Sequence, residues 1–306
     1  MSDRLDFSLA QLRYFVAAAE TGSISAAAER LHASQSALSL AIQRLERQLG
    51  CQLFLRHPAR GITLTPAGRR LLSEARIILR QAQDLRAHGR QLQEEVTGVL
   101  EVGCLFSVAP LLIPAARKHL AQRCPELVIH VREANSEALH ELLRSGICEL
   151  ALVYDLFTPD DLCVTRLVER RPYALVATAD PLAAAGRATL AQLATRPLVM
   201  LDTRDGDVRR HQEGLFASAG VELPSVLSTT SFETMRGMVA AGLGFCILVQ
   251  PLGTVETLDG GRTAAVEIVD DIASITLGFA TLAGFQRNQR CQAFVDACCE
   301  VLSART

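Results

Sequence analysis

Hydroxyl and amide side chains recur at helical spacing in residues 34–49, and these are groups that can hydrogen bond to the edges of nucleic-acid bases. On a wheel of about 100° per residue, the segment has one apolar side and one polar side. The polar candidates are Ser34, Gln35, Ser36, Ser39 and Gln43. Gln35 lies in the first turn, which points deepest when such a helix enters the major groove. A solvent-facing side of an ordinary helix would have a similar composition, so this segment alone leaves both interpretations open.

The flanking segments predict the elements that would position this face. Residues 24–31 have the apolar spacing of one helix, and the next helix begins after Ser34, a residue type that caps helix N-termini. Only His32 and Ala33 lie between them, so the connection is tight. Residues 9–20 predict another amphipathic helix that would cover the pair. This spacing is typical of a helix-turn-helix.

Residues 51–65 predict a β-hairpin, because the apolar runs QLFL and ITL flank a proline and a glycine. We expect the tip of this hairpin to carry Arg56, His57 and Arg60. Basic side chains beside a helix-turn-helix would reach phosphates or the minor groove. The N-terminal part is therefore predicted to be a winged helix-turn-helix domain over residues 1–65.

These segments resemble the N-terminal signature of the LysR-type transcriptional regulators over roughly the first 90 residues. The resemblance is carried by QLRYFVAAAETGSISAAAERLHASQSALS, LERQLGCQLFLR and LTPAGRRLL, in this order. It implies that the start of the second helix contacts bases of double-stranded promoter DNA, and that the wing contacts the backbone or minor groove. The residues matched in this way are Ser34, Gln35, Ser36, Ser39, Arg56 and Arg60.

The chain departs from the family pattern at two positions of the second helix. Ser36 stands where the family usually has proline, and Leu40 stands where a basic residue is common. The basic contact of the family is therefore missing at Leu40, whose side chain could contact a thymine methyl group instead.

The distribution of charge agrees with a DNA-binding N-terminal part. The formal net charge of the chain is −2. Residues 1–90 nevertheless contain 13 Arg against 7 acidic residues, which leaves −8 for the remainder. A positive region is the electrostatic signature of a surface that binds nucleic acid.

Several other classes of protein are disfavoured by the sequence. No apolar run is long enough for a membrane helix, and the start MSDRLDFSLAQLR lacks the apolar segment of a signal peptide, so we expect a cytoplasmic protein. Nine cysteines without a C-x-x-C pair disfavour a disulfide framework or a zinc ribbon, and buried inert thiols are the default. The chain lacks G-x-S-x-G and G-x-x-x-x-G-K-[ST], and His140-Glu141 has no second histidine. We therefore expect no enzyme activity, no cofactor and no metal.

A long helix is predicted from Pro66 to about residue 96, with Thr65 as its cap. At 1.5 Å per residue it would span roughly 45 Å. Its apolar stripe is formed by Leu71, Leu72, Ala75, Ile78, Leu79, Ala82, Leu85 and Leu92. The stripe could pack on the C-terminal part of the same chain, whereas the resemblance implies an antiparallel pairing of two copies. Residues 66–97 would be this linker, with Thr97 and Gly98 as the hinge.

The C-terminal part is predicted to be an α/β domain, because short β-rich apolar runs alternate with helical patterns. The runs are VLEVGCL, LVIHVRE, CELALVY, YALVAT, PLVML and GFCIL, and such runs are typical of largely parallel, buried strands. The resemblance implies a periplasmic-binding-protein-like (type 2) effector domain over residues 98–306. Its two subdomains would comprise residues 98–168 with 271–306, and residues 169–270, with the crossings near residues 167–176 and 265–276.

A ligand of such a domain lies outside the carboxyl ends of the strands, often at helix N-termini. The residues predicted to bind a small-molecule effector there are Phe106, Ser107, Ser136, Tyr154, Thr203, Arg204 and Ser231. Residues 230–233 resemble a capping box at the start of SFETMRGMVAAGLG. The resemblance matches Ser107, Ser136 and Thr203 to effector positions of the family, although each could simply be a cap or turn residue. Free N–H groups and Arg204 would favour an anionic or carbonyl-bearing molecule.

Together these observations predict a homodimeric or homotetrameric transcriptional regulator whose C-terminal cleft senses a small molecule. Its partners would be promoter DNA, the effector and RNA polymerase, and no membrane. A thiol-based redox regulator of the same fold is one alternative, although residues 201–210 lack the cysteine that the peroxide-sensing members keep after a strand such as LVML. An exported solute-binding receptor is the other, and the missing leader disfavours it.

Overall fold

The computed structural model describes residues 7–57, 61–90, 96–203, 205–252 and 255–304. The chain divides into two compact units. The first comprises Met1–Glu95 with Leu142–Cys148, and the second comprises Val96–Glu141 with Glu149–Thr306. In the described parts of the chain, no helix is both long and apolar enough to span a membrane.

The first unit contains the predicted helix-turn-helix and hairpin. Its elements are α1 (Leu9–Thr21), α2 (Ile24–Arg30), α3 (Gln35–Leu49), β1 (Phe54–His57), β2 (Gly61–Leu64) and α4 (Pro66–Arg90). The first three helices begin at serines whose side chains accept a backbone N–H, namely Ser8, Ser23 and Ser34. Gly22 and Gly50 end α1 and α3 in the left-handed conformation, which glycine adopts without steric cost. The local sequence therefore sets these helix boundaries.

The core of this unit fixes α3 against the other helices. Leu38, Ile42 and Leu45 of α3 are buried in the cluster formed with α1 and α2. Phe15 of α1 packs edge-on against Phe54 of β1, with ring centroids 5.5 Å apart. Apolar burial of this kind contributes about 25 cal/mol per Å² and is the main stabilising term for a small domain.

The hairpin forms as predicted, but its tip differs from the expectation. Arg56 and His57 lie within β1, where they pair with Ile62 and Gly61. The prediction that these two side chains sit in the tip is therefore wrong, because strand pairing continues to His57. Arg60 lies outside the described residues.

The long helix α4 begins where the sequence predicts. The Thr65 hydroxyl accepts the N–H of Gly68 at 2.9 Å, and Pro66 is the first helical residue. The described helix reaches Arg90, and the remaining predicted turns fall on residues 91–95, outside the described residues.

The apolar stripe of α4 splits into two parts. One part packs on the core of the helix-turn-helix domain and comprises Leu71, Leu72, Ala75 and Leu79. The other part is open, because Ile78 is 38% exposed and Leu85 is 73% exposed. The N-terminal domain therefore covers four of the eight stripe residues, an arrangement that neither of the two predicted alternatives includes. Leu92 lies outside the described residues.

The second unit contains two mixed sheets with helices around them. Its strands are β3 (Gly98–Leu105), β4 (Leu127–Ala134), β5 (Leu150–Tyr154), β6 (Leu162–Arg170), β7 (Tyr173–Ala177), β8 (Arg187–Ala188), β9 (Leu198–Leu201), β10 (Val226–Thr229), β11 (Cys246–Leu248), β12 (Thr263–Ile268) and β13 (Ile275–Leu282). Its helices are α5 (Ala109–Arg123), α6 (Ser136–Arg144), α7 (Pro181–Ala185), α8 (Leu190–Leu193), α9 (Asp207–Ser218), α10 (Phe232–Ala240) and α11 (Gln289–Ser303). All six predicted strands are present.

The strand order shows two subdomains. The first sheet has the order β4-β3-β5-β13-β6, and the second has the order β11-β7-β12-β8 beside the parallel pair β9 and β10. The chain passes between the sheets after Arg170 and returns between Ile268 and Ile275.

The expectation of largely parallel strands is wrong. Strand β13 runs antiparallel to both β5 and β6, and β7 runs antiparallel to both β11 and β12. The antiparallel pairs lie where the chain crosses between the sheets. Strand β13, for example, is the segment with which the chain returns to the first sheet.

Candidate DNA-binding face and effector cleft

The exposed side of α3 carries the predicted base-reading residues. Ser34, Gln35, Ser36 and Gln43 are exposed, and Ser39 is half-buried. The Ser34 hydroxyl accepts the N–H of Ala37 at 3.2 Å and so is committed to the cap. The fold thus brings all five residues to one helix, with their polar groups away from the core.

Arg56 lies beside this face. Its Nη2 donates a hydrogen bond to Oγ of Ser39 at 3.4 Å, so the wing strand brings a cation to the middle of α3. Glu46 of the same helix accepts the N–H groups of Leu53 and Phe54, at 2.8 and 3.2 Å. These bonds hold the wing and α3 together as one surface.

Leu40 is an exposed apolar side chain on this otherwise polar face. It is 45% exposed, whereas the apolar side chains on the opposite side of α3 are almost fully covered. Its position fits the contact with a thymine methyl group that the sequence suggests.

The second unit contains a cavity of about 130 Å³ at the carboxyl ends of β3, β5 and β9. Five of the seven predicted effector residues line it: Phe106, Ser107, Ser136, Tyr154 and Thr203. Arg204 lies outside the described residues. Ser231 does not line the cavity, because its side chain caps α10 and the next residue, Phe232, faces the cavity instead.

The predicted capping box at the start of α10 is wrong in part. Ser231 is the N-cap and accepts the N–H of Thr234 at 3.2 Å, but Thr234 occupies the position where the box needs a glutamate. Glu233 comes one residue too early and pairs with Arg236 at 2.9 Å.

The two serines of the cavity wall, Ser107 and Ser136, each lie at the start of a helix, and neither caps it. Ser107 is no cap, because Val108 is the N-cap of α5 and makes no side-chain bond, and the Ser107 side chain lies close to the Tyr154 hydroxyl. Burial raises the pKa of Tyr154 well above its ordinary value, so this hydroxyl keeps its proton. Ser136 begins α6, and Oδ1 of the preceding Asn135 accepts the N–H of Ala138 at 3.1 Å as the capping bond. The hydroxyl of Ser136 is therefore not needed for that cap.

Two contacts join the subdomains at the cavity. Nδ2 of Asn135, after β4, donates to the carbonyl oxygen of Thr203, after β9, at 2.6 Å. The guanidinium carbon of Arg210 lies 4.4 Å from the centre of the Phe157 ring, which is a cation–π distance. Phe157 is exposed and has a φ of 54°, an unusual value for an aromatic residue.

Sequence reasoning missed two polar residues of the cavity, His211 and Gln212 of α9. Nε2 of His211 and Oε1 of Gln212 are buried without a hydrogen-bond partner. Burial lowers the pKa of His211, which keeps its ring neutral at pH 7. No local signal marks these residues, since they lie in the first half of a helix and only the tertiary fold turns them inward.

The buried thiols are poor nucleophiles. All nine cysteines are free. Burial raises the pKa of Cys246 to about 12, and it also raises the pKa values of Cys104 and Cys298. Since the thiolate is the reactive form, these three side chains are inert at neutral pH.

Comparison with known proteins gives the family. Residues 9–69 match the model for bacterial regulatory helix-turn-helix proteins of the lysR family, and residues 93–303 match the LysR substrate binding domain. The chain belongs to the LysR family of transcriptional regulators. It is a DNA-binding regulator with an effector-binding domain, as the sequence predicts.

Three similar proteins illustrate the relationship of this LysR-family protein to others. The hydrogen peroxide-inducible genes activator of Pectobacterium carotovorum is 32% identical over 79% of this chain and 79% of its own. The regulator BbuR of Bordetella bronchiseptica is 32% identical over 88% of this chain and 82% of its own. A full-length OxyR from Pseudomonas aeruginosa, solved as a variant with one cysteine replaced by aspartate, is 26% identical, with a TM-score of 0.78 over 96% of this chain and 98% of that chain.

Proposed function

We propose that this LysR-family regulator reads double-stranded promoter DNA with the start of α3. The observation that supports this most directly is the exposed row of hydrogen-bonding side chains on a helix whose opposite side is buried. Gln35, Ser36, Ser39 and Gln43 would contact base edges, with Ser34 at the backbone. Arg56, which bonds to Ser39, and Arg60 would hold the phosphates or enter the minor groove.

Selection from a pool of random double-stranded DNA tests this assignment. The full-length protein is expected to enrich one sequence motif with two half-sites, because a helix that reads bases from a dimer leaves a repeated pattern. Parallel selection with a variant in which Gln35, Ser36 and Ser39 are all replaced by Ala is the control. Recovery of the same motif by that variant would show that another surface reads the DNA.

The cavity of the second unit is proposed as the effector site. Phe106, Ser107, Ser136, Tyr154 and Thr203 would contact the effector. Ser231 caps α10 beside the cavity residue Phe232, and Arg204 stays a predicted contact that lies outside the described residues. The contacts Asn135–Thr203 and Arg210–Phe157 join the subdomains across this cavity. A ligand that favours one spacing of the subdomains would therefore change how often these contacts form.

Control of transcription is proposed to follow from that change. The protein would act in the cytoplasm as a homodimer or homotetramer, without enzymatic chemistry. An effector-induced shift of the subdomains would alter the spacing of the DNA-binding domains, and hence the bend of promoter DNA and the access of RNA polymerase.

A redox response is the second candidate, and the names of relatives such as the hydrogen peroxide-inducible genes activator favour it. Two features of this chain oppose it. Residues 201–210 contain no cysteine, and burial raises the pKa values of Cys104, Cys246 and Cys298. Small-molecule sensing in the cavity is therefore the function that we propose.

A further inference from the structure

The cavity of the second unit has the size of one ring. Its volume is about 130 Å³, and a cavity of about 150 Å³ holds one benzene molecule. Apolar side chains form most of its wall, among them Leu156, Phe232 and Met235. A planar molecule of this size would bury nearly all of its surface there.

The charges around this cavity do not suit an anion. The only charged side chains among the described residues of its wall, apart from the neutral His211, are the carboxylates Asp205 and Asp207. Burial, and then the neighbouring Asp205, raise the pKa of Asp207, whereas Arg210, whose Nη1 lies 3.6 Å from Oδ1 of Asp207, lowers it. An additional anion would face the same desolvation and repulsion.

Acidic groups of the protein lie at three of the helix N-termini near the cavity. Asp205 accepts the N–H of Asp207 at the start of α9, at 3.2 Å. Glu137 and Glu233 lie in the first turns of α6 and α10. These acidic groups disfavour an anion at the N-termini of α6, α9 and α10. The N-terminus of α5 differs, because it has no side-chain cap bond and no acidic residue in its first turn.

Three buried polar atoms at the cavity lack a partner among the described residues, and one of them is the donor Nε2 of Gln250. Gln212 is only 6% exposed, and its Oε1 forms no hydrogen bond. Nε2 of the adjacent His211 is likewise buried and unpartnered. Buried polar groups are nearly always satisfied, so Oε1 of Gln212 calls for a hydrogen-bond donor of the ligand, Nε2 of Gln250 calls for an acceptor, and Nε2 of His211 calls for a further polar group.

We propose that the effector is an uncharged, ring-sized molecule that donates an N–H or O–H hydrogen bond to Oε1 of Gln212. A carbonyl or hydroxyl oxygen next to that donor would pair with the imidazole of His211. Neutral carboxamides and phenol-like molecules have this chemistry, whereas carboxylates lack the donor and add a charge. The inference rests on the proposed role of the cavity as the effector site and names the class of molecule that it binds.

Three planar molecules of nearly equal shape test the charge preference directly. Benzamide is neutral, benzoate is an anion and benzamidine is a cation at pH 7.5. Binding of each to the full-length protein is measured by calorimetry at concentrations up to 20 mM. Benzamide is expected to bind with a Kd at least tenfold lower than either charged molecule.

Gln212→Met tests the assigned hydrogen bond. Methionine keeps the length of the side chain but cannot accept the bond, so the preference for benzamide should fall at least tenfold. The variant is expected to fold, because it removes a buried polar atom that has no partner. Gln292→Met, at an exposed position of α11, is the matched control and should retain the preference.

Two results would overturn the proposed ligand class. One is a Kd for benzoate or benzamidine equal to or below that of benzamide, and the other is the absence of binding by all three molecules. Neither result touches effector sensing itself, which a metabolite screen tests independently. An unchanged preference in Gln212→Met would refute the role of that residue.

Discussion

Replacing Gln35 by Ala is expected to reduce the preference of this protein for its operator over random DNA by roughly 10- to 100-fold. Gln35 is exposed in the first turn of α3, where a major-groove helix lies closest to the bases. A glutamine that bonds to a base edge in this position contributes to specific binding and hardly at all to non-specific binding. The affinity for random DNA should therefore remain nearly unchanged.

Arg56→Ala is the contrasting variant for this experiment. Loss of a phosphate contact should weaken binding to operator and random DNA alike. The number of counterions released on binding, which the salt dependence of the affinity reports, should fall by about one. Both variants are titrated with both DNAs at several salt concentrations, by fluorescence anisotropy. If the two variants changed affinity and salt dependence in the same way, the division into base and phosphate contacts would be wrong.

Replacing Ile78 by Glu is expected to dissociate the proposed dimer. Ile78 and Leu85 are exposed residues of the apolar stripe of α4, while Leu71, Leu72, Ala75 and Leu79 are already covered by the N-terminal core. A second copy of α4 would cover them, and a carboxylate at position 78 would then be buried against apolar side chains. We expect the dimer Kd to rise on the order of 100-fold.

Light scattering at micromolar concentration measures this effect as the mean molar mass. Gln83→Glu adds the same charge to an exposed position on another side of α4 and should leave the mass unchanged. An unaltered mass for Ile78→Glu would contradict the assignment of this stripe to the dimer.

The helix-turn-helix could be predicted closely because its determinants are local. Capping serines, left-handed glycines and 3.6-residue periodicity all act within a few residues of each boundary. The wing was predicted less well, because the sequence does not show how far strand pairing extends, and Arg56 and His57 became paired strand residues.

The sequence predicts the elements of the second unit less completely. Strands β6 and β12 carry charged residues and were not predicted, since their pattern is not that of a buried parallel strand. Cavity residues that follow a predicted strand, such as Tyr154, were found. Gln212 was not, because its burial depends on how α9 packs.

The proposed charge preference of the cavity also depends on tertiary structure. The sequence shows several helix N-termini but does not show which groups reach them. Asp205 accepts the N–H of Asp207 at the start of α9, and this contact supports our proposal of an uncharged ligand over the anionic ligand that the sequence suggests.

A thermal-shift screen of the full-length protein against a metabolite library tests the central claim most directly. A molecule that binds the native cavity should raise the melting temperature in a saturable way, since ligands stabilise the state to which they bind. The shift should be lost or reduced in Ser107→Ala, which removes the hydroxyl that faces Tyr154. Failure of every compound to stabilise the protein, or a hit that Ser107→Ala and Gln212→Met leave unchanged, would contradict effector sensing in this cavity.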